Sequence, residues 1–179
     1  MSDETLQTDF NKFGSGEFEF GKWPTPFADA AIEILELVHS PRRRWPDDAA
    51  FHYRMGSLLR SHYDVDLVAR IYVYEPDKVY RVAFDRISAM RLLDEGGLLE
   101  LWAKTEELGG RPGQTTFRVR NHAWTAESIV SFLATDGWSF VIASDNECLE
   151  VVSANPPVID EEPLEASSPD CHERGEGDR

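Results

Sequence analysis

The sequence has few of the residues that hold a fold together covalently or through a metal. It contains two cysteines in 179 residues, Cys148 and Cys171. A disulfide framework needs more cysteines and a zinc site needs a tighter cluster, so we expect neither. Cys148 lies in an apolar run and is typical of a small core residue, and both thiols fit a reducing compartment.

Long apolar runs are also missing. No stretch approaches the roughly 20 apolar residues that span a bilayer, so we expect no membrane segment. Met1 to Phe10 carries three acids and no apolar core, which is unlike a secretory signal. These absences predict a cytoplasmic protein.

Common catalytic motifs are absent as well. The sequence contains no Gly-x-x-x-x-Gly-Lys, Gly-x-Gly-x-x-Gly, Gly-x-Ser-x-Gly or His-Glu-x-x-His motif. We therefore predict a non-enzymatic protein without a cofactor or a bound metal. An enzyme that combines His122 with carboxylates from distant positions stays open as an alternative, and a deep polar pocket joining His122 to two carboxylates would favour it.

Negative charge is what the sequence has in excess. There are 33 acidic residues against 18 lysines and arginines, a net charge of −15. Residues 121–173 contain no lysine or arginine at all. This balance disfavours nucleic acids and anionic membranes as partners and would steer a basic protein toward the chain. Solubility alone is an equally simple reason for the charge.

Periodicity predicts helices in four places. Apolar residues at helical spacing indicate helices over 25–39 and 47–62, a short helix after Asp85, and another from Leu98 to Leu108. A further helix is expected to begin at Thr125.

Alternating residues predict strands and two hairpins. Residues 65–74 and 79–84 flank a Glu-Pro-Asp-Lys turn, and residues 138–143 and 148–152 flank Ser-Asp-Asn-Glu. One more strand covers 115–120. Because two hairpins indicate antiparallel pairing, we predict an α+β fold: an antiparallel sheet of about five strands with helices packed mainly on one face.

The predicted organisation is a single domain between two polar ends. Residues 1–22 form an N-terminal arm whose phenylalanines suggest docking on the body. Residues 23–154 form the α+β domain. Residues 155–179, rich in proline and acids, are predicted to be a disordered tail.

Acidic residues near tryptophans are the candidate partner-binding residues. Aromatic anchors surrounded by charge suit a protein interface, although most tryptophans in a domain of this size belong to the core. A carboxylate pair could also do acid–base chemistry or bind a cation, and a solvated surface is the simplest alternative. The candidates are Asp94, Glu95, Glu100, Trp102, Trp138, Asp145, Glu147 and Glu150.

The order of these segments resembles bacterial immunity proteins that neutralise secreted polymorphic toxins. The resemblance covers about residues 70–155. It rests on Ile71-Tyr72-Val73-Tyr74, on Arg91-Leu92-Leu93-Asp94-Glu95-Gly96-Gly97, on Phe117-Arg118-Val119-Arg120 before Trp124, and on the closing hairpin with Pro156-Pro157. It implies a small, acidic, cytosolic protein that binds a toxin domain and covers its active site without catalysis.

The resulting hypothesis is an immunity protein, or antitoxin, that blocks a basic toxin or effector domain by occlusion and electrostatics. The alternative is an acidic secretion chaperone or adaptor that holds an unfolded segment of an effector. A chaperone would be a dimer that binds an extended peptide, whereas an immunity protein would bind a folded domain.

Overall fold

Two antiparallel sheets build the part of the chain that the computed structural model describes, residues 16–43 and 63–163. The five-stranded sheet has the order β1-β6-β7-β8-β5, and the four-stranded sheet has the order β2-β3-β4-β9. The strands are β1 Glu19–Lys22, β2 Ile32–Arg43, β3 Tyr63–Val73, β4 Lys78–Phe84, β5 Ile87–Asp94, β6 Thr116–Arg120, β7 Ser139–Ala143, β8 Glu147–Ser153 and β9 Val158–Glu162.

Short helices accompany the five-stranded sheet. A 3₁₀ turn over Glu95–Leu98 leads into helix α1, Leu99–Glu107. Helices α2, Ala123–Glu127, and α3, Ile129–Phe132, follow β6, and a second 3₁₀ turn covers Leu133–Thr135. The predicted α+β class is confirmed.

The sheets pack face to face through one apolar core. Leu67, Ile71 and Val82 from the four-stranded sheet meet Ile142 and Leu149 from the five-stranded sheet, and all five side chains are fully buried. Burying side chains of this size contributes about 1.5–3 kcal/mol each to folding.

The opposite face of the five-stranded sheet lies under the helices. Leu98 and Leu101 pack on Phe117 and Val141 at one end of that face. Trp124 and Phe132 pack on Val152 at the other end. The molecule therefore has three layers, and the strands of the five-stranded sheet are covered on both faces.

Two predicted helices are strands, and each contains a β-bulge. The helix predicted over 25–39 overlaps β2, whose register shifts between Ile34 and Glu36. The bulge brings Ile34 and Leu37, three residues apart, against the same core. An extra residue in a strand thus produces a spacing that resembles the helical one.

The short helix predicted after Asp85 is wrong for the same reason. It is β5, whose register shifts between Ile87 and Ala89, and Ile87 and Met90 both pack on the main core. The helix predicted over 47–62 lies outside the described residues.

The ends of the chain also differ from the prediction. The 155–179 segment was expected to be disordered, but β9 pairs with β4, so the prediction is wrong for Val158–Glu162. Asp160 faces Arg81 and Glu161 faces Lys78, so cations of β4 balance the acids of this strand. In the N-terminal arm, β1 pairs with β6.

Helices in the described ranges are short. None of them is both long and apolar enough to cross a membrane.

Candidate partner-binding site

Loops and turns from both sheets meet at one end of the sandwich. The β3–β4 turn, the β7–β8 turn, the end of β5 and the loop between β1 and β2 all lie there. Thr115 lies just before β6. Its backbone N–H donates to the carbonyl of Ala28 and its hydroxyl donates to the carbonyl of Ala30, so the β1–β2 loop is held against the five-stranded sheet. We call this region the hairpin end.

A cleft of about 670 Å³ opens at the hairpin end. Its wall is partly apolar, from the β1–β2 loop and helix α1, and partly polar, from the β5–α1 turn, the β6 approach and the β7–β8 turn. The lining residues are Ala30, Ala31, Ile32, Gly96, Leu99, Trp102, Arg111, Gln114, Thr115, Ala143, Ser144 and Asp145.

Helix α1 supplies the apolar side of this cleft. Leu99 is 70% exposed. Trp102 lies one turn further along. Arg111 stacks on Trp102, with its guanidinium carbon 4.7 Å from the ring centroid. An exposed leucine beside a half-buried aromatic ring is typical of a contact surface.

Tyrosines and acids alternate on the β3–β4 side of the hairpin end. The Tyr74 hydroxyl donates to Glu33 at 3.0 Å, and the Tyr72 hydroxyl donates to Asp77 at 2.6 Å. The hydrogen bond that Tyr74 donates to Glu33 raises the pKa of Tyr74, with a smaller contribution from the charge of Asp145. The charge of Asp145 in the β7–β8 turn thus reaches the Tyr74 hydroxyl on the β3–β4 side.

Five of the predicted contact residues lie at this end. Trp102 and Asp145 line the same cleft. Asp94 and Glu147 are opposite each other in the β5–β8 register, directly beside the cleft. Glu95 begins the 3₁₀ turn that follows Asp94. Sequence reasoning thus selected residues that the topology brings together from two distant segments.

Two other predicted residues lie elsewhere and contact the protein's own groups. The Glu100 carboxylate accepts the backbone N–H of Ala123 at 2.9 Å and so caps helix α2. Trp138 lies between Arg118 and Arg120, whose guanidinium carbons are 4.7 and 4.8 Å from its ring. Neither of them lines the cleft.

Glu150 was expected to be an exposed contact acid, and this prediction is wrong. Its side chain is fully buried on the helix-covered face of the five-stranded sheet. Arg91 donates to Glu150 Oε2 from Nε at 2.8 Å and from Nη2 at 2.5 Å, and the Ser139 hydroxyl donates to Oε1. His122 Nε2 lies 2.8 Å from Oε1 without good alignment for a hydrogen bond.

The partners of Glu150 keep it charged inside the protein. Burial raises the pKa of this carboxyl, but the close contact and charge of His122, the charge of Arg91 and the hydrogen bond from Ser139 lower it by more. The net direction is below the ordinary range of a glutamate. Glu150 is therefore the centre of a buried ionic network.

His122 takes part in this network instead of lining a cleft. Its Nδ1 lies 2.8 Å from the Thr125 hydroxyl, and its ring packs against Phe132. The structure thus joins His122 to one carboxylate, with both side chains fully buried. Among the described residues, no cluster of three or more His, Cys, Asp or Glu side chains could hold a metal ion.

Sequence reasoning missed Arg111 and the burial of Glu150. Arg111 lies in a Gly-Gly-Arg-Pro-Gly loop that predicts only a turn. For Glu150 a signal was present, since all the residues from 148 to 152 except Glu150 are apolar. A strand that is apolar on both faces is typical of a strand covered on both faces.

Comparison with known proteins gives no relative for this chain: no family model, no curated protein and no solved structure matches it.

Proposed function

We propose that this protein is a cytoplasmic immunity-type inhibitor that binds a basic toxin or effector domain through its hairpin end and blocks it by occlusion. The observation that carries the proposal is the grouping of acids around an accessible aromatic cleft. Asp94 at the end of β5 and Asp145 and Glu147 of the β7–β8 hairpin come together beside Trp102 and Leu99.

The electrostatics of this end support a cationic partner. Carboxylates at its surface include Asp29, Glu33, Glu75, Asp77, Asp94, Asp145 and Glu147. Exposed acids of this kind act mainly on the association rate and on the choice of partner, because water and salt screen them. Trp102 and Leu99 would supply the apolar contacts on which affinity depends.

The proposal is tested by capture followed by a neutralisation assay. The tagged chain captures proteins from lysate of its host, and each captured protein is then expressed alone. We expect one whose expression stops growth, and we expect co-expression of the wild-type chain to restore growth. The same assay uses Asp94→Lys/Asp145→Lys, which we expect to lose most of the protection.

A matched control separates the hairpin end from net charge. Asp85→Lys/Glu127→Lys makes the same change in charge at exposed positions in the β4–β5 turn and in helix α2. This control should protect as well as the wild type. Equal loss of protection in both double variants, with both folded, would contradict the hairpin end as the binding surface.

Strand β2 supports a second candidate, the secretion chaperone or adaptor. β2 spans Ile32–Arg43 at the edge of the four-stranded sheet, paired on one side with β3. Leu35 and Val38 on this strand are 49% and 44% exposed. An edge strand with exposed apolar side chains can accept an extended peptide by strand addition.

The two candidates differ in the form of the partner. An immunity protein should keep its affinity for a folded effector domain and lose it when the effector is unfolded. A chaperone should bind the unfolded segment, and Val38→Lys on β2 should weaken that binding. Retained binding of the folded domain by Val38→Lys would favour the immunity function.

A further inference from the structure

The cleft at the hairpin end has a cationic side chain in its lining. Arg111 lines the cleft, and within the described ranges its guanidinium makes no hydrogen bond and no ion pair. In the same part of the chain Arg70, Arg81, Arg91 and Arg120 each have a carboxylate within 4 Å. Arg118 also lacks a carboxylate within 4 Å among the described residues, but it lies outside the cleft, so Arg111 is the cation that a ligand in the cleft would meet.

Aromatic rings fix the position of this guanidinium. It lies 4.7 Å from the ring centroid of Trp102 and 5.3 Å from that of Phe117. Burial lowers the pKa of Arg111, so the fold carries a desolvation cost for this cation. A desolvated, pre-positioned guanidinium binds an anion more strongly than a mobile surface arginine does, because little side-chain freedom remains to be lost.

The surroundings of Arg111 select the kind of anion. Asp145 lines the same cleft, so a dianion such as phosphate would meet more repulsion than a monoanion. The planar fork of a guanidinium matches the two oxygens of a carboxylate. Ala31, Leu99 and Trp102 offer apolar contacts beside it, which suits a carboxylate carried on a peptide.

We infer that the Arg111 cleft is a receptor for a single peptide carboxylate, either a C-terminus or an aspartate or glutamate side chain of the partner. The inference deepens the proposed function, on which it rests for the identity of the partner. A basic toxin domain would then dock on the acidic hairpin end with one acid of its own placed opposite Arg111. Because Arg111 is a cation within an otherwise acidic surface, it would repel domains that carry a cation at this position.

The test is an NMR titration that needs no toxin. The probes are acetyl-Ala-Leu with a free C-terminus, acetyl-Glu-amide with a side-chain carboxylate, the neutral acetyl-Ala-Leu-amide, and inorganic phosphate, all at matched ionic strength. We expect saturable shifts of the Arg111 Nε–Hε and Trp102 indole signals with one or both carboxylate probes. The probe that binds more tightly identifies the source of the carboxylate.

Variants separate the cleft from general attraction of anions. Arg111→Gln should weaken carboxylate binding about 10-fold or more, as expected for loss of a charged hydrogen bond. Arg118→Gln is the matched control, because Arg118 also stacks on a tryptophan without a carboxylate partner in the described part but lies outside the cleft. It should bind the probes like the wild type.

Four results would overturn the inference: no saturable shift in the wild type, equal binding of the neutral amide, tighter binding of phosphate than of either carboxylate, or equal weakening by Arg118→Gln. Because the shifts are read in the folded wild type, a variant that fails to fold does not decide the outcome. None of these results bears on the charge-reversal test of the hairpin end, so failure of the inference and failure of the proposed function are distinguishable.

Discussion

The carboxylates of Asp145 and Glu150 come from one hairpin, yet they belong to different regions of the molecule. Asp145 lies in the exposed β7–β8 turn and lines an open cleft. Glu150 lies in the middle of β8, fully buried between Arg91, His122 and Ser139. Five positions along one hairpin separate a group that solvent screens from a group that the protein itself must neutralise.

The comparison shows that the sign of a charge does not predict its role. At the hairpin end acids stand near one another, and like charges there cost stability while they attract a cationic partner. Around Glu150 the charges are balanced, and they hold helix α2, β5 and β8 together. The first arrangement suits binding, and the second suits folding.

The largest expected effect is on stability at Glu150. Glu150→Ala leaves Arg91 and His122 without their shared anion and should cost about 3–5 kcal/mol of the free energy of unfolding, the usual result of breaking a buried ion pair. Urea denaturation measures it. A loss below about 1 kcal/mol, within the range of surface substitutions, would show that the network does little for the fold.

Acid should reveal the same network through pH. The folded state lowers the pKa of Glu150 below its unfolded value of about 4.3, so the charged carboxylate stabilises the fold above that pH. This contribution is lost as the pH falls through the folded pKa. The free energy of unfolding, measured by denaturation at several pH values, should therefore fall less from neutral to acid pH for Glu150→Gln than for the wild type.

The control for this pH profile is Asp145→Asn, which removes a carboxylate from the exposed turn. It should retain the acid dependence of the wild type, because water already solvates Asp145 in both states. If Glu150→Gln and Asp145→Asn have the same profile, Glu150 does not carry the acid dependence.

Ser139 should show a smaller effect that depends on Glu150. Its hydroxyl donates to the buried carboxylate, so Ser139→Ala should cost about 1–3 kcal/mol, the penalty for an incompletely satisfied buried charge. In Glu150→Ala the same substitution should cost much less, because the two residues belong to one network. Additive losses in a double-mutant cycle would show that the contact between Ser139 and Glu150 contributes no coupling energy.

The smallest stability change is expected at the hairpin end. Asp94→Ala/Asp145→Ala should alter the free energy of unfolding by about 0.5 kcal/mol or less, because both side chains are exposed. Thermal and urea denaturation measure this. A loss comparable to that of Glu150→Ala would mean that these acids support the fold, and the contrast between the two regions would fail.

Local patterns were sufficient for the parts of the fold that form by local pairing. The predicted strands 65–74 and 79–84 correspond to Tyr63–Val73 and Lys78–Phe84, and the closing hairpin was also predicted. Alternation and turn residues determine such hairpins within about 20 residues. Helix α1 was predicted from apolar residues at helical spacing, which is also a local pattern.

Long-range pairing explains what the sequence could not predict. The bulges in β2 and β5 become visible only against their partner strands, so the spacing of three from Ile34 to Leu37 and from Ile87 to Met90 indicated helices. Strand β9 pairs with β4, and its acids contact cations of β4 that lie far earlier in the chain. Without β2 and β9 as strands, the division into two sheets was not predicted.

The candidate site was partly predictable. Trp102 and Asp145 were selected for chemistry alone, and the fold brings them to one cleft. Glu150 was misassigned because its charge was given more weight than its apolar neighbours on both faces of β8, which indicate a strand covered on both faces. Arg111 could not be found, since no local pattern shows that the fold brings this arginine into a cleft.

The most direct test of the hairpin end as the binding surface is the association rate of the captured partner domain with the wild type, Asp94→Lys/Asp145→Lys and Asp85→Lys/Glu127→Lys, each at low and high salt. We expect slower association for the hairpin-end variant alone, with a difference that shrinks as salt screens the charges. Equal rates for the two double variants at low salt would contradict it.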